Sequence, residues 1–213
     1  MSLLNTHRYD GHRYLLCLAL SLCLVLPAQA AIGPQQLVEQ TTDKMLAKLK
    51  QEHEALKKNP DLIYDMVSEI VLPHFDFVTM SRWVLGKYWR QADKEQKLRF
   101  VKAFRTLMVR TYAVALLEYT DQSIHFMPLR DDAASGDVTV RSEVRQSSKP
   151  SIAINYNLHK RGDDWKVYDV SVDGVSLLLT YRTSFTTEIG QTSLDALIQR
   201  LEKHNLKAGQ GNS

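Results

Sequence analysis

Val138-Thr139-Val140-Arg141-Ser142-Glu143-Val144 is followed, one turn later, by Ile152-Ala153-Ile154-Asn155-Tyr156-Asn157-Leu158. In the first run Val138, Val140 and Val144 alternate with Thr139, Arg141 and Glu143. In the second, Ile152, Ile154, Tyr156 and Leu158 alternate with Ala153, Asn155 and Asn157. A period of two means strands with one face in an apolar core and the other in water, and a sheet solvated on one side is antiparallel. Ile124–Leu129 and Trp165–Val172 extend the pattern on either side. Turn chemistry separates the four runs at Asp131 to Gly136, at Ser147-Ser148-Lys149-Pro150 and at Arg161-Gly162-Asp163-Asp164. The expectation is a four-stranded antiparallel meander. In the last run Trp165 and Val167 follow one parity and Val170 and Val172 the other, which calls for a β-bulge or for burial on both faces.

Outward from the sheet the period changes to that of a helix. Val38, Met45, Leu49 and Leu56 recur at three-and-four spacing between Pro34 and about Lys58, with Pro34 near the first turn and Asn59-Pro60 as the stop. A second helix is expected from about Asp61 to Leu72, ended by Pro73, and a third from Phe77 to Trp89, capped by Asp76. Asp93 and Gln96 form a capping box for a long helix reaching roughly to Tyr119. After the strands, helices are expected from about Ser176 to Ile189 and from Ser193 through Leu201, with a frayed tail over 208–213. Helices, a meander, then helices make an α+β domain with the helices packed on one face of the sheet.

At the start of the chain, Arg8 and Arg13 precede an apolar run from Leu15 to Leu26, and Ala28-Gln29-Ala30 is an A-x-A site. This pattern is a secretory signal peptide over residues 1–30, cleaved after Ala30, and the run is too short for a membrane-spanning helix. Residues 31–207 then form a single domain. Both cysteines, Cys17 and Cys23, fall inside the signal, so the exported protein is expected to carry no thiol, disulfide or thiolate metal site. Leu16 and Leu22 precede them where a lipid-modified cysteine needs a small residue, so no lipid anchor is expected. A composition 44% hydrophobic and 24% charged excludes disorder, and 25 of 27 Lys and Arg against 23 of 24 Asp and Glu beyond Ala30 excludes a dedicated nucleic-acid binder.

Motifs for chemistry are missing. There is no Gly-rich phosphate loop, no G-x-S-x-G elbow and no H-E-x-x-H. His53, His74, His125, His159 and His204 have no partner at metal-ligand spacing, so no metal is expected. His125 and Asp169 could pair across the sheet as a base and its orienter. That pair is what an alternative reading needs, a small exported enzyme of the helix-over-sheet cone type. Arg161-Gly162-Asp163 invites an adhesion reading, but a polar glycine-containing loop is what a hairpin requires anyway.

Two segments carry more apolar residues than one helical stripe needs. Residues 75, 77, 80, 83, 84, 85, 88 and 89 are apolar, as are Val175, Leu177, Leu178, Leu179, Tyr181 and Phe185. A helix apolar nearly all round is buried on several sides or lines something. A full core and a cavity for an apolar ligand both fit.

Several of these stretches resemble a known family. Phe75-Asp76-Phe77-Val78, Leu85-Gly86-Lys87-Tyr88-Trp89, and above all Trp165-Lys166-Val167-Tyr168-Asp169-Val170-Ser171-Val172-Asp173-Gly174-Val175-Ser176-Leu177 leading into Tyr181-Arg182, are similar to the MlaC family of periplasmic phospholipid-binding proteins. The resemblance spans about Ala31 to Leu206. It implies an α+β fold enclosing an apolar pocket for acyl chains, no catalysis and no cofactor beyond the carried phospholipid. It also implies a periplasmic protein shuttling lipid between an outer-membrane lipoprotein–porin complex and an inner-membrane ABC transporter with an MCE-domain protein; a monomer is expected because nothing in the sequence resembles a heptad seam or a dimer stripe. Outer-membrane lipid asymmetry and solvent tolerance are the outcome. The pocket-lining residues it implies are Val140, Ile152, Ile154, Tyr156 and Val170 from the sheet, and Trp83, Leu85, Tyr88, Val175, Leu178, Tyr181 and Phe185 from the helices. Lys87, Arg90, Lys149 and Arg182 flank these segments as candidate headgroup contacts. A chaperone for apolar outer-membrane polypeptides is a third reading, and it requires an exposed groove.

Overall fold

A computed structural model describes residues 32–118, 122–146 and 149–210. The signal peptide read over 1–30 and the last three residues of the tail lie outside them. The order is α1 (Pro34–Gln51), α2 (His53–Lys58), α3 (Leu62–Ile70), α4 (Phe77–Leu85), α5 (Lys87–Gln91), α6 (Lys94–Tyr112), β1 (Ser123–Phe126), β2 (Asp137–Gln146), β3 (Lys149–Arg161), β4 (Asp164–Val172), β5 (Val175–Ser176), α7 (Leu177–Gln191) and α8 (Leu194–Gln210). Short 3-10 turns follow α3 at Leu72–His74 and α6 at Ala113–Glu118.

Two expected helices are each divided. The one expected over 34–58 breaks at Glu52, where no breaker residue accounts for the interruption. The one expected over 77–89 breaks at Gly86, whose φ of 53° is open to glycine and strained for other residues. The capping box forms as expected: Gln96 N–H donates to Asp93 Oδ1 at 2.8 Å, and Asp93 N–H donates to Gln96 Oε1 at 3.1 Å. Helix α8 runs through Gln210, into the stretch expected to fray.

The sheet is a meander in the order β1-β2-β3-β4-β5, all antiparallel, with five strands where four were expected. The extra strand exists because Asp173 and Gly174, at φ 48° and 81°, reverse the chain tightly enough for Val175 to pair with Val172. The parity change in β4 is a bulge. Leu158 faces Val167 while its neighbour Asn157 faces Asp169, leaving Tyr168 as the extra residue.

Two apolar cores result. The larger is helical, centred on Phe100 and Phe104, with Phe185 edge-on to Phe100 at 6.0 Å and Tyr181 edge-on to Phe104 at 5.4 Å. The smaller lies on the sheet, where Val138, Val140, Leu158, Trp165 and Val167 close over Val38 of α1. Phe75 packs against both. It also forms a parallel bridge with Val167, and the next residue, Asp76, donates its N–H to the Val167 carbonyl at 2.9 Å, so the chain entering α4 covers the edge of β4. Among the described residues, no helix is long and apolar enough to cross a membrane.

Candidate functional site

Register fixes which side chains share the apolar face of the sheet. Four rows cross it: Val138, Leu158 and Val167; Val140, Tyr156 and Val170; Ser142, Ile154 and Val172; and Val144 with Ile152. On β1, Phe126 joins the third row and Ile124 the fourth. The first row is fully buried. In the second Val140 is buried, while Tyr156 and Val170 are half-buried. In the third Ile154, Val172 and Phe126 are half-buried around a buried Ser142, whose hydroxyl donates to the Ile154 carbonyl at 3.0 Å. In the fourth Ile152 is 43% exposed. Thus one continuous apolar face is packed at one end and open at the other. The polar groups on it are satisfied by the sheet or by each other. Burial pushes the Tyr156 phenol up, and the adjacent Ser142 hydroxyl pulls it partly back, so this ring stays neutral.

A second apolar feature lies in the helical half. A cleft of about 580 Å³ is lined by Leu49, Leu56, Pro60, Leu116 and Leu117, with Lys50, His53 and Lys57 exposed around it. Its size falls in the ordinary range for small-molecule sites, about 300–1,000 Å³. The break at Glu52 and the 3-10 turn before β1 shape it, and the sequence pattern pointed to neither.

The twelve residues expected to line a pocket divide into three groups. Val140, Tyr156 and Val170 are cross-strand neighbours on the sheet face, and Ile154 and Ile152 continue toward its open end. Leu85, Leu178 and Phe185 are buried in the helical core, with Tyr88 and Tyr181 packed against it. Trp83 is 53% exposed and Val175 60% exposed, so these two belong to the solvent surface. Ile124, Phe126, Val144 and Val172 are members of the open face that the expectation omitted; their parity with Val140 and Val170 was the available signal.

Asp76 was expected only as a helix cap. Its carboxylate accepts from the Thr79 N–H at 3.0 Å and the Thr79 hydroxyl at 2.9 Å, and also meets His159 Nε2 at 3.1 Å and Arg161 at 2.9 Å. Burial works to raise its pKa, but the Thr79 donors and the Arg161 and His159 charges outweigh burial and hold it below the usual aspartate value. The group clamps α4 to the end of β3. It also occupies Arg161, which removes the adhesion reading of Arg161-Gly162-Asp163. His159 and Arg161 precede the hairpin, and nothing in the one-dimensional pattern placed them beside Asp76.

The His125–Asp169 pair does not form. His125 is exposed on β1 opposite Glu143, on the polar face, and two strands separate it from Asp169. The Asp169 carboxylate is buried and accepts from the Ser176 hydroxyl at 2.7 Å and the Leu178 N–H at 3.2 Å, so it holds the first turn of α7, whose N-cap is Ser176. No group of three His, Cys, Asp or Glu among the described residues converges as metal ligands do.

This architecture has known counterparts. A phospholipid-binding protein from Ralstonia solanacearum, solved in complex with a phospholipid, superposes with a TM-score of 0.76 at 30% identity, over 82% of this chain and 98% of that one. The toluene tolerance protein ttg2D of Pseudomonas putida is 31% identical over 167 residues, covering 78% of this chain and 77% of its own. The intermembrane phospholipid transport system binding protein MlaC of Haemophilus influenzae is 25% identical over 179 residues, 83% of this chain and 84% of its own. The family model described as MlaC protein matches residues 39–203, from within α1 to within α8 and through the whole sheet. With a family-model match running from the first helix to the last and a relative 31% identical over 78% of the chain, this protein belongs to the MlaC family.

Proposed function

We propose that this chain is a periplasmic phospholipid carrier, and that the open end of the sheet face receives the acyl chains. The observation that carries the proposal is the gradient from the buried row of Val138, Leu158 and Val167 to the half-exposed row of Val144 and Ile152. An apolar face left half-covered needs something apolar to cover it. The relatives agree: one is named for phospholipid transport, one was solved with a phospholipid, and the family is one of carriers, not enzymes.

Energetics suit a passive carrier. Each methylene removed from water contributes about 0.8 kcal/mol, so two acyl chains gain on the order of 20 kcal/mol over free lipid in water. Free lipid is therefore not an intermediate. Chains leaving a bilayer exchange one apolar environment for another, and the carrier needs no energy source of its own. Neutral Tyr156 and hydrogen-bonded Ser142 make few polar demands on the chains, which fits recognition by shape and apolarity. In this proposal the exported protein, processed after Ala30, works as a monomer between an outer-membrane lipoprotein–porin complex and an inner-membrane ABC transporter bearing an MCE-domain protein.

The test is native mass spectrometry with lipid extraction on protein purified from the periplasm without detergent. A co-purifying mass equal to an intact phospholipid is the expected result. Protein that is empty, and still empty after incubation with phospholipid vesicles, would overturn the proposal.

A further inference from the structure

The solvent side of α7 is unlike an ordinary exposed helix face. Its exposed positions include Leu179, Thr180, Arg182, Thr183, Ser184 and Thr187, where a soluble protein usually places Glu, Lys and Gln. The threonine hydroxyls are already satisfied within the helix. Thr180 donates to the Ser176 carbonyl at 2.9 Å, Thr183 to Leu179 at 3.0 Å, Thr186 to Arg182 at 2.7 Å and Thr187 to Thr183 at 2.9 Å. This back-bonding is mildly unfavourable in water, where hydroxyls can bond solvent instead. On α7 it leaves few donors in need of water, and Leu179 stands 60% exposed.

Helix α4 packs beside α7, and the Arg182 guanidinium lies over Gly86 at the end of α4, where an added Cβ would meet it at 3.4 Å. Val78 and Trp83 of α4 are 39% and 53% exposed, and Val175 immediately before α7 is also exposed. Trp83 is the tryptophan on the surface; Trp89 is half-buried and Trp165 is buried. The charges are one-sided. Across α4, α5 and α7 the sequence has Arg82, Lys87, Arg90 and Arg182, all exposed, and a single carboxylate, Glu188, which the Arg200 guanidinium binds at 2.6 Å. The chain as a whole is nearly balanced, at +3 over 213 residues.

We infer that the outer face of α4 and α7 docks on the surface of an anionic lipid bilayer. Exposed Trp, Leu and Val bodies enter the boundary between headgroups and acyl chains, while Arg and Lys heads stay at the phosphates. Threonines bonded to their own helix lose little when water is withdrawn. No free carboxylate on these helices repels the surface. The inference rests on the carrier proposal for its purpose, because a protein that exchanges lipid with membrane-borne complexes works beside a bilayer. It rests on this face alone for its evidence.

The test uses the exported protein with vesicles of phosphatidylcholine, alone or mixed with phosphatidylglycerol, read by co-sedimentation and by tryptophan emission with brominated lipids. The expected result is binding to the anionic vesicles that weakens with salt, together with a blue shift and quenching that Trp83→Ser abolishes. Reversal of two cations in Arg82→Glu/Arg182→Glu should weaken binding by at least about 30-fold, since each basic residue near an anionic surface contributes several-fold. Lys50→Glu/Lys57→Glu, at the cleft lined by α1 and α2, should not change it. Unchanged circular dichroism and melting temperature exclude misfolding of the variants. Failure to bind anionic vesicles, or binding that the Arg82/Arg182 reversal leaves intact, overturns the inference, and so does capture of an acidic protein by this face in place of lipid. Native mass spectrometry of the same samples separates the two proposals. Protein that carries phospholipid but ignores vesicles sinks the docking surface and leaves the carrier standing, whereas empty protein sinks the carrier itself.

Discussion

Asp76 shows how much one residue can join. It is the cap of α4, as the sequence suggests, and also the point where α4, His159 and Arg161 meet. The first role is local and legible; the second depends on a contact 85 positions apart and is not. Asp76→Ala is expected to cost about 1–3 kcal/mol in urea unfolding, because it removes a cap and leaves the Thr79 N–H without its partner, while the largely exposed Arg161 returns to water. The pH dependence follows from the direction of its shift. The folded carboxyl titrates below its unfolded value of about 4, so its stabilisation is complete above that pH and disappears as the pH falls through the lower, folded value. Asp76→Asn should therefore lose stability at neutral pH and show a flatter acid limb than the parent, which a series of melting temperatures would reveal. A parallel acid limb in both proteins would mean that other carboxylates dominate. Trp83 makes the opposite point. Val84 and Leu85, which follow it, are core residues, and only the packing of α4 against α7 decides that this ring faces outward with Arg82.

Among elements, β3 carries the clearest contrast. Leu158 and Ile154 stand on the same face four positions apart, one fully buried and the other half-exposed. Leu158→Ala should cost about 2–5 kcal/mol by leaving a cavity in the packed row. Ile154→Arg should shift the melting temperature little, yet reduce phospholipid occupancy by tenfold or more in native mass spectra. Equal loss of stability at both positions would mean that the open end is ordinary core. Alternation made this face legible, including the bulge in β4, because side chains of a strand must take turns. What alternation could not show is where along the strand the cover ends, since that depends on which distant residues, such as Val38 and Phe75, pack against the sheet. Divided helices were less legible still. Gly86 is a recognisable breaker, and Gly86→Ala should cost about 1–2 kcal/mol in the same unfolding assay because its φ is positive. The break at Glu52 has no such signature. The fifth strand follows from Asp173-Gly174, a turn pair whose hairpin was hidden by the helical pattern beginning two residues later.

At the scale of the molecule, a helical core and a sheet core are joined through Phe75. The α+β layout was readable from the change of period along the chain, but this division was not, because composition counts apolar residues without saying which of them touch. Phe75→Ala should cost about 1–3 kcal/mol and loosen one core from the other, seen as faster amide exchange in β4 relative to α6. The half-covered sheet face has a thermal consequence as well. Water against Ile152, Ile154 and Val144 carries excess heat capacity, and any ligand that displaces it must bind with a negative heat-capacity change. The enthalpy of loading therefore becomes more favourable with every degree of warming, and the affinity for acyl chains passes through a maximum at one temperature instead of falling steadily. In the proposed carrier, the longer the stretch of sheet left uncovered, the larger this heat-capacity change and the sharper the maximum.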